Sequence, residues 1–161
     1  MVKEIGHVSF KVTDMKAALD FYVKKLGFRK CFEIRRREDG QTPTEDEVVR
    51  DSGTYDRDKV WIVYVQAAER QFIELFTMDE GDEATRNNEN GVGYLHLAVI
   101  VENIHAFREE IVSRGVEIDI EPKMGMDGTW QMWIHDPDGN KIECMQYTEK
   151  SAQLLYTQGL V

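Results

Sequence analysis

Cysteine is scarce in this chain, because Cys31 and Cys144 are the only two among 161 residues. Two cysteines are too few for a disulfide framework, so we expect reduced thiols and a cytoplasmic protein. No apolar run approaches the ~20 residues that span a membrane, and the first residues lack the apolar core of a signal peptide. Basic residues are also in deficit, since the net charge is −10. That charge argues against nucleic acid or an anionic membrane as a partner.

What the chain does contain is an internal repeat. Two segments, Trp61–Phe76 and Trp130–Tyr147, share a layout of strand, polar turn and second strand. Each second strand holds a glutamate, and Glu74 and Glu143 both lie 13 positions after the tryptophan that opens their segment (74 − 61 and 143 − 130). A carboxylate within an apolar strand is costly to bury unless something pairs with it. These glutamates are therefore candidate site residues.

The segments that precede these hairpins match as well. GHVSFKVTDMKAALDFYVKKLGF is similar to YLHLAVIVENIHAFREEIVSRGV, and the match aligns His7 with His96. The chain is therefore two copies of one unit, which together form a single domain. The units cover residues 4–77 and 92–147, with a linker over 78–91 and a tail over 148–161 that we expect to be a short helix or an irregular strap.

Hydrophobic periodicity predicts an order of β-α-β-β-β in each unit, and hence an α+β fold. The first unit is predicted to contain strand Glu4–Val12, helix Met15–Leu26 and strands Phe28–Ile34, Val60–Gln66 and Gln71–Thr77. The second is predicted to contain strand Val92–Val101, helix Ile104–Arg114 and strands Val116–Ile120, Trp130–His135 and Lys141–Tyr147. The charged stretch Arg35–Lys59 is predicted to be a solvated surface loop, with a lid over a site as the alternative.

Strand alternation places each histidine on the face opposite the aliphatic row, which we expect to pack against the helix. Two sheets that cup together would bring His7, His96, Glu74 and Glu143 into one cavity. A single strand histidine is more often a core residue, and a single strand glutamate more often faces solvent. Both exceptions occur twice, at corresponding positions, and two imidazoles with two carboxylates suit a divalent cation such as Zn, Ni, Co or Fe. Lys11 shares the His7 face, either as a rim lysine or as a contact for a substrate anion.

The segments GHVSFKVTDMKAALDFYVKKLGF, QFIELF, YLHLAVIV and DPDGNKIE resemble the vicinal oxygen chelate superfamily, and within it glyoxalase I (lactoylglutathione lyase). The resemblance implies paired βαβββ units forming a metal-holding cup, the glyoxalase/bleomycin resistance/dioxygenase-like fold. It also implies that the four metal ligands are His7, Glu74, His96 and Glu143. Glu74 favours the glyoxalase type, since related epimerases typically have glutamine there and extradiol dioxygenases use a His-His-Glu iron triad.

The activity implied by this resemblance is that of a metal-dependent lyase. It would convert the hemithioacetal of a 2-oxoaldehyde to a 2-hydroxyacyl thioester through an enediolate, with Glu143 as the base and Glu74 as a ligand and second proton carrier. The resemblance further implies one Ni, Zn or Co ion, a small-molecule substrate and a homodimer. The alternatives are a non-catalytic small-molecule binding protein of the same fold, acting in resistance or sensing, or a related epimerase or dioxygenase. The native metal, the thiol carrier and the location of the site, within a chain or across a dimer, stay open.

Overall fold

A computed structural model of the protein describes residues 2–50, 59–83 and 92–157. The chain divides into two compact units, Met1–Ala84 and Thr85–Val161, which we call the first and the second unit. Each unit contains one mixed β-sheet. No helix among the described residues is both long and apolar enough to cross a membrane.

The first unit is a five-stranded sheet with one main helix. Its elements are β1 (His7–Val12), α1 (Met15–Leu19), β2 (Arg29–Arg35), β3 (Val48–Arg50), β4 (Val60–Ala68) and β5 (Gln71–Thr77). The strands lie in the order β1-β5-β4-β2-β3. Strand β1 is parallel to β5, and the remaining neighbours are antiparallel.

The second unit repeats this arrangement with four strands. Its elements are β6 (Leu97–Ile100), α2 (Ile104–Ser113), β7 (Ile120–Met124), β8 (Trp130–His135), β9 (Lys141–Gln146) and α3 (Ala152–Leu155). The strand order is β6-β9-β8-β7, and β6 is parallel to β9. Once the short edge strand β3 is set aside, both units have the same order, so the predicted βαβββ units and the α+β class are confirmed.

The helix of the first unit changes from an α-helix to a π-helix after Leu19. Asp14 caps it by accepting hydrogen bonds from the backbone N–H groups of Lys16 and Ala17, at 2.8 and 3.2 Å. The predicted α-helix Met15–Leu26 is nevertheless only α-helical to Leu19, and Asp20–Lys25 forms a π-helical turn. The wider turn accompanies an aromatic pair, Phe21 and Tyr22, whose adjacent side chains are both buried.

The aliphatic face of β1 packs in the core, as predicted. Phe10 and Val12 are buried, whereas His7, Ser9 and Lys11 alternate with them and are exposed. Burying each large apolar side chain contributes about 1.5–3 kcal/mol to folding, which fixes the face that β1 turns inward. The face of β1 that carries His7 is therefore the one turned away from the core.

The start of the third element in the second unit differs from the prediction. Val116–Ile120 was expected to be a strand, but β7 begins only at Ile120. The backbone N–H of Val116 instead donates to the Ile111 carbonyl at 3.0 Å and ends α2, helped by the left-handed φ of +79° at Gly115. Val116 is buried, so its apolar side chain caps the helix rather than entering the sheet.

The charged stretch Arg35–Lys59 is more ordered than the predicted loop. A 3₁₀ turn spans Glu45–Glu47, and Thr44 and Glu47 close it as a reciprocal capping box. Strand β3 follows and pairs antiparallel with β2, so a pure surface loop is wrong for this part. Residues 51–58 of this stretch, 84–91 of the predicted linker and 158–161 of the predicted tail lie outside the described residues.

Candidate metal centre

Neighbouring strands of the first unit bring three polar side chains into one row across the sheet. Ser9 of β1 and Tyr64 of β4 are the register partners of Glu74 on β5, one on each side. His7 lies two residues before Ser9 on the same face, and its Nε2 is 3.4 Å from Glu74 Oε2. We call the sheet face that carries these side chains the ligand face of the first unit.

Two hydroxyl groups hold the Glu74 carboxylate. Ser9 Oγ donates to Glu74 Oε2 at 2.5 Å, and Tyr64 Oη donates to Glu74 Oε1 at 2.6 Å. Desolvation and the neighbouring carboxylate raise the pKa of Tyr64 to about 12, so the phenol keeps its proton and acts as a donor. Each oxygen of Glu74 therefore already accepts one hydrogen bond.

The second unit builds the same row from different residues. Ala98 of β6 and Trp133 of β8 are the register partners of Glu143 on β9. His96 immediately precedes β6, and its Nε2 is 3.3 Å from Glu143 Oε2. The rings of His96 and Trp133 meet edge to face with their centroids 4.8 Å apart. The side chains of this row form the ligand face of the second unit.

Glu143 has a less polar environment than Glu74. Its residue surface is only 7% exposed, and burial raises the pKa of its carboxyl group above the usual range. The charge of Asp127 acts in the same direction, whereas His96 opposes the rise. Among the described residues, no hydroxyl group donates to Glu143, because Ala98 and Trp133 occupy the places of Ser9 and Tyr64.

The geometry of each His–Glu pair fits a shared cation. Two ligand atoms that each lie ~2.0–2.2 Å from one metal ion are roughly 2.9–3.5 Å apart. The observed separations of 3.4 and 3.3 Å fall within that range. They are also longer than the ~2.7–2.9 Å of a strong charge-assisted hydrogen bond. The donor set of nitrogen and carboxylate oxygen therefore suits a divalent ion of the Zn, Ni or Co type.

The structure brings each predicted histidine to its predicted glutamate, within one unit. Across residues 2–50, 59–83 and 92–157, no three His, Cys, Asp or Glu side chains cluster closely enough to hold a metal ion. Each His–Glu pair is thus half of the predicted ligand set, and assembly of all four ligands stays a prediction.

Lys11 is placed differently from the four candidate ligands. It lies on the ligand face of the first unit, but its Nζ forms an ion pair with Asp82 at 2.7 Å. Asp79 is a second carboxylate neighbour, at 3.8 Å. About half of the Lys11 side chain is exposed, so a substrate anion would meet a lysine that Asp82 already holds.

A cavity of about 610 Å³ opens on the second unit. Trp133 lines it, and Trp133 is the register partner of Glu143. Ile120 adds apolar surface, and the Nδ1 atom of His135 is 2.8 Å from Asp119 Oδ1 at the same cavity. The cavity combines an indole ring with polar groups at its edge, which suits a small molecule of mixed polarity.

Sequence reasoning missed Ser9, Tyr64 and Trp133 as members of the two rows. Strand alternation places Ser9 on the His7 face, and the alignment of the two hairpins places Tyr64 and Trp133 ten residues before their glutamates (74 − 64 and 143 − 133). These signals give the face of each side chain. The contacts with the carboxylates depend on strand register, which pairs residues 65 positions apart in the case of Ser9 and Glu74.

Comparisons with known proteins point to one family. The sequence profile of the Glyoxalase/Bleomycin resistance protein/Dioxygenase superfamily matches residues 4–144. The chain is 29% identical to a probable lactoylglutathione lyase of Synechocystis sp. over 89% of this chain and 95% of the relative. It is also 29% identical to the lactoylglutathione lyase of Escherichia coli O157:H7, over 91% and 93% of the two chains. A glyoxalase family protein from Enterococcus faecalis has a similar crystal structure, with a TM-score of 0.65, 24% identity, and coverage of 89% of this chain and 97% of that one.

Proposed function

Because the chain belongs to the Glyoxalase/Bleomycin resistance protein/Dioxygenase superfamily, we propose that it is a metal-dependent lyase of the glyoxalase I type. The observation that carries this proposal is the duplicated His–Glu pair, with separations of 3.4 Å in the first unit and 3.3 Å in the second. The lactoylglutathione lyases among its relatives, at 29% identity, support the same reaction class. The reaction would convert the hemithioacetal of a 2-oxoaldehyde to a 2-hydroxyacyl thioester.

The ligands that we propose for one divalent ion are His7, Glu74, His96 and Glu143. Nickel, zinc and cobalt suit this set of nitrogen and oxygen donors. When bound, the ion supplies Lewis acidity, which stabilises the negative charge that develops on two adjacent substrate oxygens as an enediolate forms. The remaining steps belong to side chains of the protein.

Glu143 is our candidate for the base. It would take the carbon-bound proton of the hemithioacetal and return it to the neighbouring carbon. Among the described residues no hydroxyl group donates to Glu143, so its carboxylate keeps lone pairs available for the proton. Glu74 would serve as a ligand and as a second proton carrier.

The substrate that we propose is a small molecule with an apolar part and an anionic part. The cavity beside Trp133 offers space for the part of the substrate that does not react. Lys11 would contact an anionic group of the thiol carrier. Its ion pair with Asp82 is half exposed, and exposed pairs contribute only ~0–1 kcal/mol, so a substrate carboxylate can replace Asp82. Lys11→Met should then raise KM and leave kcat nearly unchanged.

The test of this function is reconstitution followed by a substrate panel. The metal-free protein is loaded with Ni, Co, Zn or Mn and assayed against hemithioacetals of several thiols, with thioester formation as the readout. We expect turnover with at least one pairing of metal and thiol. Exchange of the substrate's carbon-bound proton with solvent deuterium is the second readout. A protein that takes up metal, binds the hemithioacetals and exchanges no proton would be a binding protein, and the lyase proposal would fall.

We further propose that the protein is a homodimer, since closed two-fold dimers are the commonest soluble oligomers. Sedimentation of the metal-loaded protein at micromolar concentration should give twice the chain mass of 18.7 kDa. A monomer with full metal content would contradict this assembly.

A further inference from the structure

The two ligand faces differ at the two positions that flank each glutamate. In the first unit these positions are Ser9 and Tyr64, and both hydroxyl groups donate to Glu74. In the second unit the same register positions are Ala98 and Trp133, which have no hydroxyl group. The two units thus share the glutamate and differ in whether the flanking residues can donate a hydroxyl hydrogen bond to it.

We propose that Ser9 and Tyr64 are positioning residues that hold Glu74 as a one-oxygen metal ligand, while Glu143, among the residues that the structure describes, accepts no hydrogen bond from a hydroxyl group. This inference rests on the metal site proposed above. It goes beyond that proposal because it assigns different tasks to two glutamates that occupy equivalent places in the repeat.

The contacts of Tyr64 make it a rigid partner for Glu74. Its ring stacks on Phe32 with centroids 4.5 Å apart and an interplanar angle of 18°. The ring of His7 meets it edge to face at 5.8 Å. These contacts restrict the phenol ring on two sides, so its hydroxyl group stays aimed at Glu74 Oε1. The candidate ligand His7 faces the other oxygen, Oε2, so Oε2 rather than Oε1 is placed to share an ion with it.

The other oxygen, Glu74 Oε2, has room for one hydroxyl and one cation. Ser9 Oγ donates to it, and His7 Nε2 lies 3.4 Å from it. A carboxylate oxygen has two lone-pair directions, so the hydrogen bond from Ser9 leaves one for an ion shared with His7. Residues that form hydrogen bonds with a metal ligand fix the orientation of that ligand. Their loss typically lowers metal affinity or activity by about 10–100-fold.

The experiment compares metal affinity and the Co(II) spectrum of Tyr64→Phe and Ser9→Ala with the wild type. Isothermal titration of the metal-free proteins with NiCl₂ or CoCl₂ gives the dissociation constants. The matched controls are Tyr156→Phe and Ser113→Ala, which remove a hydroxyl group from an exposed tyrosine and an exposed serine away from both ligand faces. Thermal unfolding of each metal-free variant shows that it is folded.

We expect Tyr64→Phe and Ser9→Ala to weaken metal binding by about 10–100-fold, with the controls within threefold of the wild type. In Tyr64→Phe the released Oε1 can join the metal, so the visible Co(II) absorption should fall in intensity, as it does when the coordination number of Co(II) rises. A role in folding alone would leave that spectrum unchanged.

Two results would overturn the inference, and they are distinguishable from failure of the proposed function. If the wild type binds metal, and both variants bind it with unchanged affinity and an unchanged spectrum, the positioning role is wrong and the metal site stands. If the wild type binds no metal, the proposed function and this inference both fall. If Tyr64→Phe does not fold, the comparison of Ser9→Ala with Ser9→Thr decides the question. Ser9→Thr retains the hydroxyl group, so its metal affinity should be close to that of the wild type.

Discussion

Replacing Glu143 with glutamine separates the base from the ligand. The amide keeps the shape of the side chain and one oxygen, but it cannot accept the substrate proton. A positioned base contributes about 10²–10⁴-fold to the rate. That range corresponds to about 3–5 kcal/mol of activation free energy. We therefore expect Glu143→Gln to lose most of its turnover.

The structure predicts that Glu143→Gln stays folded and binds metal. Among the described residues, Glu143 accepts no hydrogen bond from a hydroxyl group, so the new NH₂ group meets no competing hydroxyl donor. Its near neighbour is His96 Nε2 at 3.3 Å, which either a carboxylate or an amide oxygen can face. The loss should therefore appear in kcat rather than in the free energy of unfolding.

Glu74→Gln should behave in the opposite way. Ser9 and Tyr64 donate to different oxygens of Glu74, so one of the two hydroxyl groups must face the new NH₂ group. A partly buried hydroxyl that loses its acceptor costs about 1–3 kcal/mol. We expect weaker metal binding and lower stability, with a milder loss of turnover per bound metal ion.

The assay for this pair of variants is steady-state thioester formation at saturating hemithioacetal. Metal content is measured on the same samples, because a lost ligand also lowers the rate, and turnover is expressed per bound ion. If fully metallated Glu143→Gln turns over within a few fold of the wild type, Glu143 is only a ligand. The proton would then have to pass through Glu74.

Three other predictions concern metal content, thiol reactivity and fluorescence. His7→Ala and His96→Ala should each lose bound metal in elemental analysis, and undiminished metal in both would refute the ligand assignment. A thiol reagent at mildly alkaline pH should modify half-buried Cys31 and spare buried Cys144, because burial raises the Cys144 pKa to about 12. The raised pKa of Cys144 favours the neutral thiol in the folded state, so the free energy of unfolding should fall as pH rises from 9.0 toward 12. Rapid modification of both thiols in the folded protein would contradict the expected protection of Cys144. Ni or Co should quench the fluorescence of Trp133, whose ring contacts His96, and equal quenching in Trp133→Phe would show that the ion binds elsewhere.

The repeat is what made the His–Glu pairs predictable from sequence. Alternation assigns each side chain to a face, the equal spacing from Trp61 and Trp130 relates Glu74 to Glu143, and the similarity of the preceding segments aligns His7 with His96. Within each unit, the neighbouring parallel strands then place the histidine beside its glutamate, at 3.4 and 3.3 Å. The order of the elements follows from the same periodicity.

Element boundaries were less predictable, because tertiary contacts decide them. Val116 has the apolar character of a strand residue, yet its burial against the end of α2 delays β7 to Ile120. The predicted strand Val92–Val101 shortens to β6, which starts at Leu97, so His96 lies just before the strand rather than in it. Periodicity alone cannot distinguish a strand from the extended segment that leads into it.

Burial of a strand glutamate does not by itself identify a site, and Glu33 shows why. Its side chain is 1% exposed, more deeply buried than either candidate ligand, and Lys30 and Arg35 balance its charge at 2.9 and 2.8 Å. Two hydroxyl groups and His7 serve the same purpose at Glu74.

Glu143 differs from both of these carboxylates. Among the described residues, its side-chain partner is His96, at 3.3 Å, and burial raises the pKa of its carboxyl group. A buried carboxylate with so little compensation gains most from a nearby cation. Of the two candidate carboxylate ligands, Glu143 is therefore the one that a divalent ion would stabilise more, since two hydroxyl groups already donate to Glu74.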